Sequence, residues 1–331
     1  MYRFLQIEKL DQLAKLSSLS GLSALDAKSF VSHAPDAHWV LVEEGTIAGR
    51  YSLWWKNVPP YPGHTLGLIG HYAVQDEEAA QRLLDHACQQ LAEQGCTMAV
   101  VPIDGNTWRR YRLLSERGSE PTFFLEPDNP DEWCDQFRAQ GFTTLAHYSS
   151  AVNLDLTQQD PRLERVAKRL EGLGVKVRSL NLQQFSSELE KIYRLCLVSF
   201  RQNFLYTPIS FTEFAAQYSQ VLPHLQPELV LMAEQEDRLV GFLFAIPDLL
   251  QAKRGEKINT VIIKTVAVLP DRQYAGVGNF LVAQCQAIAH QRGYRRTIHA
   301  LMHDANNSRN LSRHYAQTIR GYTLFTKPLN P

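Results

Sequence analysis

The chain of 331 residues is long enough for two domains of ordinary size, and with 44% hydrophobic, 10% aromatic and 21% charged residues each half can bury a core. This composition excludes a disordered tail, a collagen-like repeat and a disulfide miniprotein, and no run approaches the roughly 18 apolar residues that a membrane helix needs. A formal net charge of zero hides a division: Met1–Ser150 carries 12 Lys and Arg against 19 Asp and Glu, and Ala151–Pro331 carries 22 against 15. The basic half favours an anionic ligand, or the two halves attract across an interface; both readings stand. The five cysteines (Cys88, Cys96, Cys134, Cys196, Cys285) are an odd number without CxxC spacing, as expected of reduced thiols in a cytoplasmic protein. The start, MYRFLQIEKLDQLAKL, is amphipathic and lacks the apolar run and cleavage site of a signal peptide, so no membrane association is expected.

In the first half, Trp39–Glu43 and Ala48–Trp55 read as a hairpin around Glu44-Gly45. Thr65–Val74 is a predicted strand, Glu78–Gln94 a helix closed by Gly95, Thr97–Pro102 a strand and Asn106–Leu114 a short helix. The aromatic, Pro-rich run SLWWKNVPPYPGH (Ser52–His64) is either a loop over the core or the lining of an acceptor pocket. A strand-like run ends near Asn153, and Asp160-Pro161 opens a helix over Pro161–Glu171. The boundary between domains 1–155 and 156–331 is therefore placed here.

The second half reads as mixed α/β. Val175–Leu180 is a strand, and Ser186–Phe200 and Ser210–Val221 are helices. Leu229–Glu234 and Leu239–Ile246 form a hairpin, and TVIIKTVAV (Thr260–Val268) is a β-branched strand. Asn279–Arg292 is a helix, Thr297–Met302 a strand, Asn307–Ile319 a helix and Tyr322–Lys327 a strand. The first half repeats this element order in abbreviated form, without residue identity.

The segment with chemistry is VAVLPDRQYAGVG (Val266–Gly278). A strand ends at Pro270, a polar loop follows, then two glycines and a helix. The N–H groups of such a loop and the helix dipole converge on one point, and the glycines let backbone approach a pyrophosphate. The pattern lacks the Gly-Lys-Ser/Thr of a P-loop and the third glycine of a dinucleotide fingerprint.

Gln273-Tyr274-Ala275-Gly276-Val277-Gly278 resembles Gln/Arg-x-x-Gly-x-Gly/Ala, the acyl-CoA motif of GNAT superfamily N-acetyltransferases. The preceding VAVLP is similar to that family's central strand, and Gly321-Tyr322 to its closing Gly-Phe; the likeness covers about Val175 to Lys327. It implies an α/β (α+β) fold of two GNAT-like units, each a mixed, mostly antiparallel sheet flanked by helices. It also implies acetyl-CoA as donor, with Val266, Val268, Arg272 and Gln273–Gly278 binding it and a backbone N–H near Val268 holding the oxyanion. Asn306 would touch the pantetheine arm. Tyr315 would reprotonate the thiolate, with Tyr322 and His314 as substitutes. The segment between the two early helices, which in the family shapes the acceptor site, makes Arg201, Asn203 and Tyr206 substrate contacts. The first half looks like a degenerate second unit. Its strand HTLGLIGHYAV leads to Asp76, Glu77 and Glu78 where phosphate would sit, so it is not expected to bind CoA.

No carboxylate lies on TVIIKTVAV, where Lys264 is the only charge, and Glu213, Glu234, His303 and Asp304 stand as alternative bases. His299, His303 and Asp304 share no further ligand, so no metal is expected. Arg292, Arg295 and Arg296 close a helix and complement its dipole, so no nucleic acid is expected. The expected acceptor is an amine of a small molecule or a protein. Two alternatives remain: a non-catalytic acyl-CoA-binding regulatory module, and an aminoacyl-tRNA-dependent transferase.

Overall fold

The computed structural model describes residues 1–8, 12, 22, 25–158, 160–304 and 316–330. Among these, one 13-stranded sheet runs the length of the molecule. Its N-terminal part is β1 (Tyr2–Gln6), β2 (Ala37–Glu43), β3 (Thr46–Trp54), β4 (Leu66–Val74) and β5 (Met98–Val101). β6 (Leu113–Glu116) and β7 (Thr143–Asn153) follow. The C-terminal part is β8 (Val175–Ser179), β9 (Val230–Gln235), β10 (Arg238–Pro247), β11 (Thr260–Val268), β12 (Arg296–His303) and β13 (Gln317–Pro328). The order is β1-β2-β3-β4-β5-β13-β7-β12-β11-β10-β9-β8, with β6 also pairing β13.

The two ends of the sheet correspond. β4 pairs β5 in parallel and β11 pairs β12 in parallel, while the remaining ladders are antiparallel. The closing strands are exchanged: β7 lies beside β12, β13 lies beside β5, and the two pair with each other at the seam. Each half thus completes the other's sheet, and Tyr148 stands opposite Tyr322 at the junction.

Helices cover the faces. α1 (Ala27–His33) ends near the seam cavity, and α2 (Glu77–Glu93) packs its buried stripe, including Leu83, Leu84, Ala87 and Leu91, on β3 and β4. α3 (Glu132–Ala139) packs beside α2. α4 (Arg162–Gly172), α5 (Phe185–Ser199), α6 (Phe211–Val221), α7 (Leu249–Lys253) and α8 (Val277–Gln291) belong to the C-terminal part. α8 lies on β9, β10 and β11 and buries Val277, Leu281, Val282 and Cys285. The five cysteines are buried thiols.

Two expectations are corrected. Asn106–Leu114 is not a helix. Trp108 N–H donates to Asn106 Oδ1, Asp104 N–H to Arg110 O, and Arg112 sits at φ +64°; these local bonds compete with the helical ladder until β6 begins. The predicted last helix cannot run to Ile319, because Gln317 and Thr318 already pair with Val152 and Ala151 of β7. The rest of that helix, with Asn306, His314 and Tyr315, lies outside the described residues. The amphipathic start holds a strand, Tyr2–Gln6, paired with β2.

Candidate acyl-transfer site

β11 and β12 pair only from Thr260↔Arg296 to Ile263↔His299 and then diverge. The cause is a bulge. The register with β10 passes from Phe244↔Thr265 to Ala245↔Ile263, so Lys264 is the extra residue of β11. A bulge bends its strand and re-aims the side chain. Leu269 N–H donates to Val240 O, so by alternation the N–H groups of Val266 and Val268 face away from β10, toward the opening. The Ser199 hydroxyl accepts the Val268 N–H at 3.0 Å and donates to Val268 O at 2.9 Å. Val266, not Val268, therefore presents the open backbone donor.

The glycine loop continues this strand. Arg272, Gln273 and Ala275 are exposed, with Gln273 N–H on Asp271 Oδ1 at 3.1 Å. Tyr274 is buried and donates to Gln235 Oε1 at 2.5 Å, so its side chain anchors the loop from below. Gly276, at φ +85°, is the N-cap of α8 without a side-chain cap, and Phe280 N–H is the donor that reaches Gly276 O. The N–H groups of the first turn are thus left for an anion, where the helix dipole adds about half a positive charge. Val277 is buried and contributes its backbone alone. α4 adds charge here, since Arg169 donates to Ala275 O. In the N-terminal part the matching helix α2 is capped by Asp76, whose Oδ1 accepts Ala79 N–H at 2.8 Å. A carboxylate fills the position that Gly276 leaves open.

The matching divergence of β4 and β5 is also closed. β4 carries its extra residue between Arg50↔Ala73 and Ser52↔Gly70. Ile103 N–H donates to Ile69 O at 2.8 Å and His71 N–H to Asp104 Oδ1 at 2.6 Å, so the chain after β5 occupies the groove. A Cβ at Gly70 would meet Ile103 O at 2.3 Å.

A cavity of about 1110 Å³ opens from the β11–β12 divergence toward the N-terminal part. Lys264, Val266, His299 and His303 line it together with Asn203, Phe204, Tyr206, Tyr218, Arg109–Arg112, Glu126 and Tyr148, and the Tyr148 and His303 rings meet edge-on at 4.8 Å. Lys264 Nζ donates to Leu125 O at 2.8 Å; burial, with Arg112 nearby, pushes its pKa down to about 7, and Glu126 opposes the shift. Arg112 is stacked over Tyr111 and Tyr148 with its guanidinium carbon 4.1 and 4.2 Å from the ring centres. Tyr322 is fully buried, donates to Glu126 Oε1 at 2.5 Å and lies 3.0 Å from Ser150 Oγ; burial and the Glu126 carboxylate raise its pKa.

Of the sequence-derived acceptor contacts, Asn203 and Tyr206 line the cavity, whereas Arg201 is exposed and does not. The run Ser52–His64 contributes no lining residue among those described. Among the alternative bases, Glu213 is paired with Arg109 at 2.7 Å and Glu234 with Arg178 at 2.7 Å and Lys191 at 3.1 Å. Asp304 accepts from Ser149 Oγ at 3.3 Å, and His303 lines the cavity. The N-terminal contribution, Arg109 to Arg112, Glu126 and Tyr148, was not anticipated; the run Trp108-Arg109-Arg110-Tyr111-Arg112 was its only sequence signal.

A model of the acetyltransferase (GNAT) family matches residues 189–321. The matched stretch holds the glycine loop and the diverging strands. The whole chain shares its fold with a tandem GNAT protein from the clavulanic acid biosynthesis pathway (TM-score 0.53, 12% identity, 100% of this chain and 99% of that one). It is also similar to a GCN5-related N-acetyltransferase from Anabaena variabilis ATCC 29413 (TM-score 0.55, 10% identity, 99% and 73%). In sequence it is 23% identical over 227 residues to a bacterial ceramide synthase from Caulobacter vibrioides (strain NA1000 / CB15N). That alignment covers 67% of this chain and 59% of the relative's length. Among the described residues no helix is long and apolar enough to cross a membrane.

Proposed function

We propose that the C-terminal GNAT unit transfers an acyl group from a CoA thioester to an amine bound in the seam cavity, and that the N-terminal unit binds no CoA and instead walls the acceptor side. One observation carries this reading: the β11–β12 divergence opens directly into a cavity that residues of both units line, while the equivalent groove at β4–β5 is filled. The thioester supplies the acyl group. The first turn of α8 with Arg169 takes the pyrophosphate, and Val266 N–H polarises the carbonyl. Lys264, at a pKa of about 7, removes the amine proton. Tyr315 is kept as the acid for the leaving thiolate. Tyr322 suits this role poorly, since its hydroxyl is committed to Glu126. The buried thiols support a reducing compartment, the cytoplasm.

The donor's chain length has a second reading. The cavity of about 1110 Å³ with its Phe200, Phe204, Tyr218 and Phe244 lining exceeds what acetyl needs. The ceramide synthase relative supports a long-chain acyl group and amine. Calorimetry with acetyl-CoA and with palmitoyl-CoA, on the wild type and on Gly276→Glu, tests both points. Micromolar binding that the substitution abolishes is the expected result, and the tighter of the two donors sets the class. No binding of either would overturn the acyl-CoA reading and bring the tRNA-dependent alternative forward. Binding without turnover across an amine panel would favour the non-catalytic module.

A further inference from the structure

The N-terminal unit has lost its CoA groove, yet what fills that groove is not inert packing. His71 stands at the bulge of β4 with φ +48°, His33 ends α1, and Asp104 follows β5; all three line the seam cavity. His33 Nδ1 lies 2.8 Å from His71 Nε2, and His71 Nε2 lies 4.0 Å from Asp104 Oδ2. The three ligand atoms fall within 4.8 Å of one another. Two ligands at zinc-bond length in a tetrahedral shell stand about 3.4 Å apart, inside that spread.

The surroundings hold these groups in place. Ser52 Oγ is 2.8 Å from His71 Nδ1 and 2.7 Å from His38 Nδ1, so the ring nitrogen away from the cluster has a fixed partner. Trp54 Nε1 and Arg109 Nη1 both donate to His33 O, at 2.8 and 3.0 Å, and Arg109 Nη1 also donates to Asp104 O at 3.2 Å. The charge of Arg109 is balanced by Glu213.

We propose that His33, His71 and Asp104 form a three-ligand site for a divalent cation of the Zn²⁺ class, with its remaining coordination position facing the seam cavity. Two imidazoles and one carboxylate from three separate elements match a zinc site that keeps an open position, rather than a closed structural one. The open position takes an oxygen or nitrogen donor of whatever occupies the acceptor side. This site stands apart from the glycine loop, so it does not depend on the acyl-transfer reading.

The test is Zn²⁺ titration of the chelator-treated full chain by calorimetry, with Co²⁺ absorption as a spectroscopic readout. His33→Ala keeps the carbonyl that Trp54 and Arg109 hold, and Asp104→Asn keeps an oxygen for His71 N–H, so both are expected to fold. The wild type is expected to take one equivalent and show tetrahedral Co²⁺ bands. Each ligand variant should weaken binding by more than about 100-fold and Ser52→Ala by about 10-fold, while exposed His64→Ala should bind as the wild type does. Paramagnetic broadening of the His33 and His71 ring signals by Co²⁺ gives a reading that needs no substitution. No Zn²⁺ uptake, or uptake that survives both ligand substitutions unchanged, would overturn the proposal.

Discussion

His71 and Lys264 occupy the same place in the two units. Each marks the bulge of a strand that pairs in parallel with its neighbour for a few residues and then leaves it. In the C-terminal unit the bulge opens a groove beside a polar amine. In the N-terminal unit the groove is refilled by Ile103 and Asp104, and the bulge residue becomes part of a histidine cluster. One backbone device has therefore been turned to two chemistries, and both face a single cavity.

Lys264 makes the pH dependence of transfer specific. A lysine acts as a base only when deprotonated, and its pKa is pushed down to about 7 by burial. Below that value kcat should rise about tenfold per pH unit, and above it level off. Lys264→Met should lose about 10²- to 10⁴-fold in kcat together with that limb, and Lys264→Arg should not rescue it, because the guanidinium does not deprotonate. A wild-type limb retained in Lys264→Met would move the base elsewhere, with His303 next in line.

Gly278 separates stability from binding. A Cβ there would stand 3.4 Å from Val266 Cγ1 and 3.7 Å from Val268 Cγ2, ordinary contact distances. The position lies in the first turn of α8, where alanine stabilises a helix by up to about 1 kcal/mol over glycine. Gly278→Ala should raise the melting temperature and leave acyl-CoA binding unchanged, since the motif that this loop resembles admits Ala at this position and the methyl meets only Val266 and Val268. Thermal unfolding and calorimetry on the same preparation check both; a loss of affinity would mean that the pyrophosphate needs the bare backbone of Gly278.

The exchanged strands predict one unfolding unit rather than two. β13 is held on its two edges by β5 and β7, and β7 by β13 and β12. A fragment ending near residue 155 would lack the strand beside β5 and expose both edges of β7. Scanning calorimetry of the full chain should give a single transition with equal calorimetric and van't Hoff enthalpies, and fragments 1–155 and 156–331 should fold only when mixed. Two resolved transitions would restore the view of independent domains.

Much of the C-terminal unit was legible because its signals are local. The β-branched run became β11 over the expected residues, Thr260–Val268, and the helix expected over Ser210–Val221 is α6, capped by Ser210, which accepts Glu213 N–H. What escaped depends on contacts far apart in sequence. β13 begins at Gln317 because β7, more than 150 residues earlier, offers Val152 and Ala151 as partners. The Lys264 bulge follows from register with β10, and no composition rule marks it. Asp104 and His71 meet only when the chain after β5 turns back into the groove, so a cluster whose two members stand 33 positions apart had no spacing motif to announce it.

That cluster also governs acid sensitivity. His33, His38 and His71 are pushed down from 6.5 to about 4, 3 and 2, mainly by burial, so the folded rings stay neutral while those of the unfolded chain protonate. A depressed histidine contributes stability that is present above the unfolded pKa and lost as pH falls below 6.5, at up to about 1.4 kcal/mol per histidine per pH unit. Asp104 works the other way: burial raises it from 3.8 to about 6, so the folded state gains a proton first and recovers up to about 1.4 kcal/mol per unit between those values. The histidines outnumber it, and the net slope is destabilising. Urea unfolding of the metal-free chain at pH 7.0 and 5.5 should show a lower midpoint at the acid value. His38→Gln, which removes one titrating ring, should narrow the gap between the two midpoints. An equal gap in that variant would mean that His38 is already protonated in the folded protein, and that the buried chain from His38 through Ser52 to His71 carries a charge.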